Sequence, residues 1–163
     1  MHLFFSTPVW ISQINNHESI NKDLLNYIYQ EKEKNPEGAI KSNVNGWHSD
    51  EFALKNENLQ QFISAISEKI KEAITDMGWD LETQLVKITS MWSIINNKDA
   101  FNEKHHHGNS ALSAAYYVKA EKGAGDIVFF DPRQANVFSH PFSKEVNKIN
   151  AQVQSVTPKA GTL

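Results

Sequence analysis

The hydrophobic pattern of this chain changes its period once, near Gly78, and this change constrains the fold more than any other feature. Before it, one apolar stripe recurs every three to four positions: Leu59, Phe62, Ile63, Ile66, Ile70, Ile74 and Met77. This spacing predicts an amphipathic helix, and Gly78 is suited to the left-handed position that ends one. A weaker stripe predicts an earlier helix from Ser19 to near Lys34, ahead of Pro36.

Beyond Gly78 the alternation of residue types predicts extended strands. Residues 85–95 are apolar on both faces for part of their length, which indicates a buried strand. The turn-forming stretch KAEKGAG separates residues 111–118 from 126–130, so we expect these two segments to pair as an antiparallel hairpin. Residues 131–150 read as a long loop, and the following AQVQSV alternates again. In the earlier loop KSNVNGWHSD we expect Trp47 to act as an anchor.

Two helices followed by a series of strands predict an α+β protein that is mainly β. The architecture we expect is a jelly roll, with the two helices bracing one outer face. The length suits one compact unit, so residues 1–163 are interpreted as a single domain. No apolar run approaches the length that a membrane span requires.

Charge and cysteine content disfavour several classes of function. The formal net charge is −3 and lysines are interspersed with acids, so nucleic-acid binding is not expected. The absence of cysteine excludes disulfides and thiolate metal sites, and the first residues lack the features of a signal peptide. A cytoplasmic protein is therefore expected. Arg133 is the only arginine, and hence the only candidate for a bidentate clamp on an anion.

Three consecutive histidines open the stretch HHHGNSALSAAYYV at residues 105–118. In an extended segment His105 and His107 would project from one face and His106 from the other. Two imidazoles at that spacing can bind zinc, copper, nickel or iron(II), and a third ligand would come from elsewhere in the fold. The alternative is that the run is a polar surface segment, because short motifs match by chance.

Other polar residues that could belong to the same site follow this run in the sequence. One of the neighbours Tyr116 and Tyr117 would face the same interior as the histidines, where its hydroxyl needs a partner such as a bound carboxylate. Asp126 and Asp131 flank the strand IVFF and could be carboxylate ligands, although a turn role is simpler.

The remaining candidates have structural interpretations. His2, His17 and His48 are expected at the surface, and Trp92 is expected in packing or in the wall of a cavity.

Three motifs carry a resemblance to a known family that extends over nearly the whole chain: SN-x-x-GWHS, N-x-x-H-x-H-x4-LS-x2-YY and F-x-DPR. The chain resembles the small 2-oxoglutarate and iron(II)-dependent oxygenases of bacteria and phages, which are related to prolyl 4-hydroxylases. The resemblance implies a double-stranded β-helix of cupin-like type, with Fe(II) and 2-oxoglutarate as cofactor and cosubstrate, and hydroxylation as the usual reaction. It assigns His105 and His107 as metal ligands, with His107 where prolyl hydroxylases have aspartate, and Tyr117 as donor to the 2-oxoglutarate carboxylate.

In that family a distal histidine and an arginine follow the turn that matches VTPKAG, whereas this sequence stops at Leu163. Neither His140 nor Arg133 corresponds to these positions. We therefore expect a domain without its last strands, either truncated or completed by another polypeptide, whose incomplete iron site would leave this chain inactive by itself. Its exposed strand edges would favour a homodimer or strand exchange. The alternatives are a noncatalytic jelly-roll binding or assembly module and a cupin-like metal-binding protein. The sequence does not specify the primary substrate.

Overall fold

The computed structural model describes residues 2, 5–133 and 142–163. His140 and part of the predicted loop 131–150 lie outside the described residues. The elements in chain order are α1 (His17–Lys34), β1 (Asn43–Val44), β2 (Trp47–His48), α2 (Glu57–Asp76), β3 (Ile94–Ile95), β4 (Phe101–Asn102), β5 (Ile127–Phe130) and β6 (Val153–Val156). Neither of the described helices has the length and apolar character needed to cross a membrane.

Both predicted helices are confirmed, and local interactions explain where α2 begins and ends. The side chain of Asn56 accepts a hydrogen bond from the backbone N–H of Asn58 at 2.9 Å, which caps the N-terminus. Gly78 has a φ of +66°, and the N–H of Trp79 donates to the carbonyl of Ile74 at 3.2 Å. This is the left-handed helix end that the position of Gly78 predicts.

The hydrophobic core lies between α1, α2 and the segments around β2 and β3. Leu59 of α2 is fully buried. The ring of Tyr27 on α1 meets the edge of Phe52 with 5.1 Å between centroids. The other buried residues of this cluster are Ile14, Ile20, Leu24, Ile28, Trp47, Phe62 and Ile66. The helical stripes and the Trp47 anchor thus form one core.

The described strands form three antiparallel pairs, β1 with β4, β2 with β3, and β5 with β6. The protein is therefore of mixed helix and strand structure, as predicted. Two parts of the fold prediction, the jelly roll and the mainly β composition, are not found within the described residues. The strand pairs do not close into a barrel, and α1 and α2 together contain more residues than the six strands. The described part is therefore not mainly β.

The prediction of a continuous buried strand at residues 85–95 is wrong. Only Ile94–Ile95 belong to a strand, and Leu85 is 87% exposed. Backbone bonds extend the pairing of β3 only as far as Met91, whose carbonyl accepts from the N–H of Phe52 at 2.7 Å. Ile88, Met91 and Ile95 pack against the helical core. No such layer from the described part of the chain covers residues 85–87, which are exposed despite their apolar pattern.

The predicted hairpin between residues 111–118 and 126–130 is also wrong. β5 pairs instead with β6, which lies in the predicted AQVQSV segment. The backbone of Tyr117 bonds to the C-terminal turn: its N–H donates to Thr162 at 2.9 Å, and its carbonyl accepts from Gly161 at 2.8 Å. Because the same turn also pairs with residues 12–14, the C-terminal segment lies between two distant parts of the chain.

A glycine substitution tests the packing beside β2. Gly38 has a φ of +64°, and a Cβ there would overlap the carbonyl oxygen of His48 and lie 2.8 Å from the ring of Trp47. Gly78 has a similar φ of +66° with no atom within 4 Å of a built Cβ. We expect Gly78→Ala to lower the free energy of unfolding by about 1 kcal/mol through backbone strain alone. Gly38→Ala should cost at least about 1 kcal/mol more, because it adds a steric overlap.

Urea denaturation of both variants and the unchanged protein measures this difference. Equal losses for the two variants would show that β2 does not approach Gly38 as described.

Candidate functional site

The histidine run follows β4 in an irregular segment and not in a strand. The N–H of Glu103 donates to the carbonyl of Ser42 at 2.8 Å, which fixes the start of the segment against the chain before β1. His105, His106 and His107 are all exposed. The rings of His105 and His107 nevertheless lie together, with 5.0 Å between their centroids and an edge-on angle of 81°. The predicted common orientation of these two side chains is therefore found without regular strand geometry.

The hydrogen bond of His105 determines which of its ring nitrogens is free. Its Nδ1 lies 2.7 Å from the carbonyl oxygen of Glu103. A carbonyl can only accept, so Nδ1 carries the hydrogen and the neutral ring keeps its lone pair on Nε2. This is the arrangement by which a backbone carbonyl orients a metal-binding imidazole.

His105 and His107 line a cleft of about 540 Å³. Its other lining residues are Ala39, Lys41, Ser42, His48, Ser49, Asp50, Glu51, Trp92 and Ile94. The volume lies in the range of small-molecule sites. Trp92 contacts imidazoles in two directions: its ring centroid is 5.8 Å from that of His48 and 5.8 Å from that of His107. The cleft thus has a continuous wall of aromatic and imidazole rings.

His48 is a residue of this cleft that the sequence analysis missed. The expectation of surface exposure is wrong for it, because His48 is only 7% exposed. It lies on β2 between two other buried residues, Trp47 and Ser49, and its ring is stacked on Trp92 with an interplanar angle of 16°. The available signal was its position beside the predicted anchor Trp47. His17 is half-buried, and His2 is exposed as expected.

The two tyrosines face different environments. Tyr116 donates its hydroxyl hydrogen to Oδ1 of Asn21 at 2.6 Å and packs on Phe62, so it belongs to the helical side. Tyr117 is half-buried, and burial raises its pKa, as does the nearby carboxylate of Asp126. Its hydroxyl therefore stays protonated at neutral pH and can donate a hydrogen bond. Tyr117 is not one of the residues that line the cleft of the histidines.

The aspartates that flank β5 bond to other groups. Asp126 accepts from the hydroxyl of Thr157 at 2.7 Å. Asp131 forms an ion pair with Arg133 at 2.7 Å, and this pairing raises the pKa of the guanidinium. Neither aspartate lines the cleft, so the simpler turn interpretation of both agrees with the structure.

A comparison with known families adds to this geometry. Residues 90–163 match the family model described as "Putative 2OG-Fe(II) oxygenase". The matched segment is slightly under half of the chain; it contains Trp92, His105, His107 and Tyr117 but not His48. No curated protein and no solved structure matches the chain. The match supports a 2-oxoglutarate and iron(II) oxygenase as the general kind of protein.

The donor set of the cleft is compatible with the two imidazole ligands that such a metal would need. His105 has a carbonyl-oriented ring with a free Nε2, and His107 lies beside it. In the described part of the chain, no group of three or more histidine, aspartate or glutamate side chains is arranged to hold a metal ion. Metal binding thus stays a prediction that rests on this pair.

Proposed function

We propose that the protein is an Fe(II)- and 2-oxoglutarate-dependent dioxygenase of the hydroxylase type, with His105 and His107 as two of its metal ligands. The observation that carries the proposal is the pair of imidazole rings at 5.0 Å, which line a cleft within the segment that matches the oxygenase family model. Imidazole is a suitable ligand for iron(II), and a site with few protein ligands leaves positions for small molecules. The third ligand is not assigned.

The proposal includes the family fold, in which residues 1–163 form one domain built on a double-stranded β-helix. The match over residues 90–163 supports it, and the antiparallel pairing of β2 with β3 and of β5 with β6 is compatible with it, although these described pairs do not close into a barrel. Bound iron(II) and 2-oxoglutarate would supply the oxidising chemistry. The protein would contribute the orientation of the ligands and a cleft that holds the substrate beside them.

Metal and cosubstrate titrations test the proposed function. Cobalt(II), an air-stable substitute for iron(II), should bind and give an absorption spectrum that changes when 2-oxoglutarate is added. Because the sequence predicts an incomplete iron site, metal binding is the deciding measurement; succinate formed from 2-oxoglutarate with iron(II) in air would show in addition that this chain is active by itself. A protein that binds no divalent metal would instead be a noncatalytic module. Metal binding without a response to 2-oxoglutarate would indicate a cupin-like metal protein.

Tyr117 is proposed to donate a hydrogen bond to the distal carboxylate of 2-oxoglutarate. The raised pKa of its hydroxyl, caused first by burial and then by Asp126, supports a donor role. We expect Tyr117→Phe to raise the dissociation constant of 2-oxoglutarate roughly 10- to 100-fold, the value of a hydrogen bond to a charged group. Cobalt affinity should not change, because the ring does not contact the histidine pair.

Tyr116→Phe is the matched control for this prediction. It removes the bond to the buried Asn21 on the helical side, so we expect it to lower the free energy of unfolding by about 1–3 kcal/mol and to leave 2-oxoglutarate binding unchanged. Calorimetric titration of both variants separates the two effects. Unchanged 2-oxoglutarate affinity in Tyr117→Phe would remove Tyr117 from the site.

A further inference from the structure

The imidazole of His48 is buried and held in one orientation. Its Nδ1 lies 2.6 Å from the carbonyl oxygen of Ser49, and its own backbone carbonyl accepts from the N–H of Ala39 at 2.8 Å. Because a carbonyl only accepts, Nδ1 carries the hydrogen and Nε2 keeps the lone pair. The ring is further fixed by its stacking on Trp92. His48 therefore presents one defined hydrogen-bond acceptor.

Nε2 of His48 has no hydrogen-bond partner among the described residues. It is not among the polar atoms without a partner that are fully buried, so part of its surface is still accessible. Since His48 is only 7% exposed and lines the cleft, we infer that the accessible surface of this nitrogen faces the cleft. Buried polar groups are normally paired, so an acceptor of this kind indicates a ligand or water in the same space.

We propose that His48 is a substrate-binding residue: its Nε2 accepts a hydrogen bond from an N–H or O–H group of the molecule that fills the cleft beside His105 and His107. This inference rests on the proposed function, which it deepens by giving a chemical class of substrate. Apolar substrates would leave the acceptor unpaired, at a cost that disfavours their binding. The substrate therefore carries a polar donor.

The charges of the cleft favour a cationic donor over an anion. Asp50 and Glu51, which follow His48 closely in the sequence, also line the cleft, and Lys41 is the only cationic side chain among the lining residues. Asp50 also accepts from the side-chain amide of Asn35 at 3.0 Å, which holds its carboxylate in place. With neutral histidines the lining carries a net charge of −1. An ammonium or guanidinium group is therefore the preferred donor.

His48 is assigned to the substrate and not to the metal. In the described part of the chain, His48, His105 and His107 do not form a three-ligand cluster. The ring of Trp92 contacts both His48 and His107, which places an indole within the row of imidazoles. A group bound to Nε2 of His48 would thus share the cleft with His105 and His107.

Three small probes separate hydrogen bonding from charge: n-butylammonium has a charge and N–H donors, n-butanol has a donor and no charge, and n-butyltrimethylammonium has a charge and no donor. The measurement is the nitrogen-15 resonance of His48 Nε2 in the zinc-loaded protein and in the metal-free protein. We expect the two donor probes to shift this resonance and n-butyltrimethylammonium to leave it unchanged. The ring of His17, which bonds to the carbonyl of Ile14 outside the cleft, is the internal control.

Two substitutions complete the test. His48→Phe keeps a ring against Trp92 but removes the acceptor, so it should weaken n-butylammonium binding roughly 10- to 100-fold, the value of a hydrogen bond that involves a charged group. His48→Gln restores an acceptor and should recover part of this loss. Thermal unfolding of both variants checks that they are folded.

The inference on His48 and the proposed function fail in different ways. Donor probes that shift His48 no more than His17, or that bind His48→Phe as well as the unchanged protein, would overturn the role of His48. Failure of the protein to bind zinc would overturn the proposed metal site, while the metal-free titration would still report on His48. Reduced zinc affinity in both His48 variants would instead assign His48 to the metal and contradict this inference.

Discussion

Replacement of His105 or His107 by alanine is expected to abolish divalent-metal binding, whereas His106→Ala should retain it. Removal of an outer-shell partner of a metal ligand already costs roughly 10- to 100-fold in affinity, so loss of a ligand itself should exceed about 100-fold. The three side chains are all exposed and adjacent in sequence. They differ in one respect: His105 and His107 line the cleft, and His106 does not.

Calorimetric titration with cobalt(II) measures the affinities of the three variants. Because the residues are exposed, each substitution should change the free energy of unfolding of the metal-free protein by less than about 0.5 kcal/mol. Added metal should raise the melting temperature of the unchanged protein and of His106→Ala, since a ligand that binds only the folded state stabilises it. His105→Ala and His107→Ala should show no such rise.

Two outcomes would contradict the metal pair. Equal affinity losses in all three variants would indicate nonspecific binding by the histidine run as a surface chelator. Retention of tight binding by both His105→Ala and His107→Ala would place the metal elsewhere.

The helices could be predicted because their determinants are local in sequence. The apolar stripe of α2 faces one side every 3.6 residues, and the ends are set by Asn56 and Gly78. The start of α1 at His17 differs from the prediction by two residues, and its end at Lys34 agrees with it. Periodicity and capping are sufficient for such elements.

Strand pairing could not be predicted because it depends on partners that are distant in the sequence. β5 was identified by its composition, but its partner β6 begins more than twenty residues later. The turn-forming KAEKGAG suggested a nearer partner for it. A period of two shows which residues share a face, but it does not specify the chain that pairs with them.

The candidate site likewise has features that depend on neighbouring residues and features that depend on distant parts of the chain. His105 and His107 are only two residues apart in the sequence, and their rings lie together even in an irregular segment. Burial of His48 depends instead on Trp92 and the helical core, which are far from it in the sequence. A single histidine inside a polar loop has no periodic signal, so only the folded chain reveals its position in the cleft.

Leu59→Ala is expected to cause a large loss of stability, because Leu59 is the one fully buried large side chain of the described core. Leu59 lies on α2 with no exposed surface, and its removal leaves a cavity among Ile, Leu and Phe side chains. Losses for such buried leucines are about 2–5 kcal/mol. Leu85→Ala is the matched control, because it makes the same chemical change at a position that is 87% exposed. Its expected effect is within about 0.5 kcal/mol.

Urea denaturation of both leucine variants measures the two free energies of unfolding. The control variant also tests a difference between sequence and structure: the sequence pattern predicts that Leu85 lies in a buried strand, whereas in the structure it is exposed. A loss of 2 kcal/mol or more in Leu85→Ala, on the scale of a buried leucine, would mean that a layer covers residues 85–87 in solution. Concentration dependence of that loss would then identify the layer as a second copy of the chain, since unfolding of a dimer depends on protein concentration. A small loss that is independent of concentration would confirm that Leu85 is exposed in solution, as the structure has it.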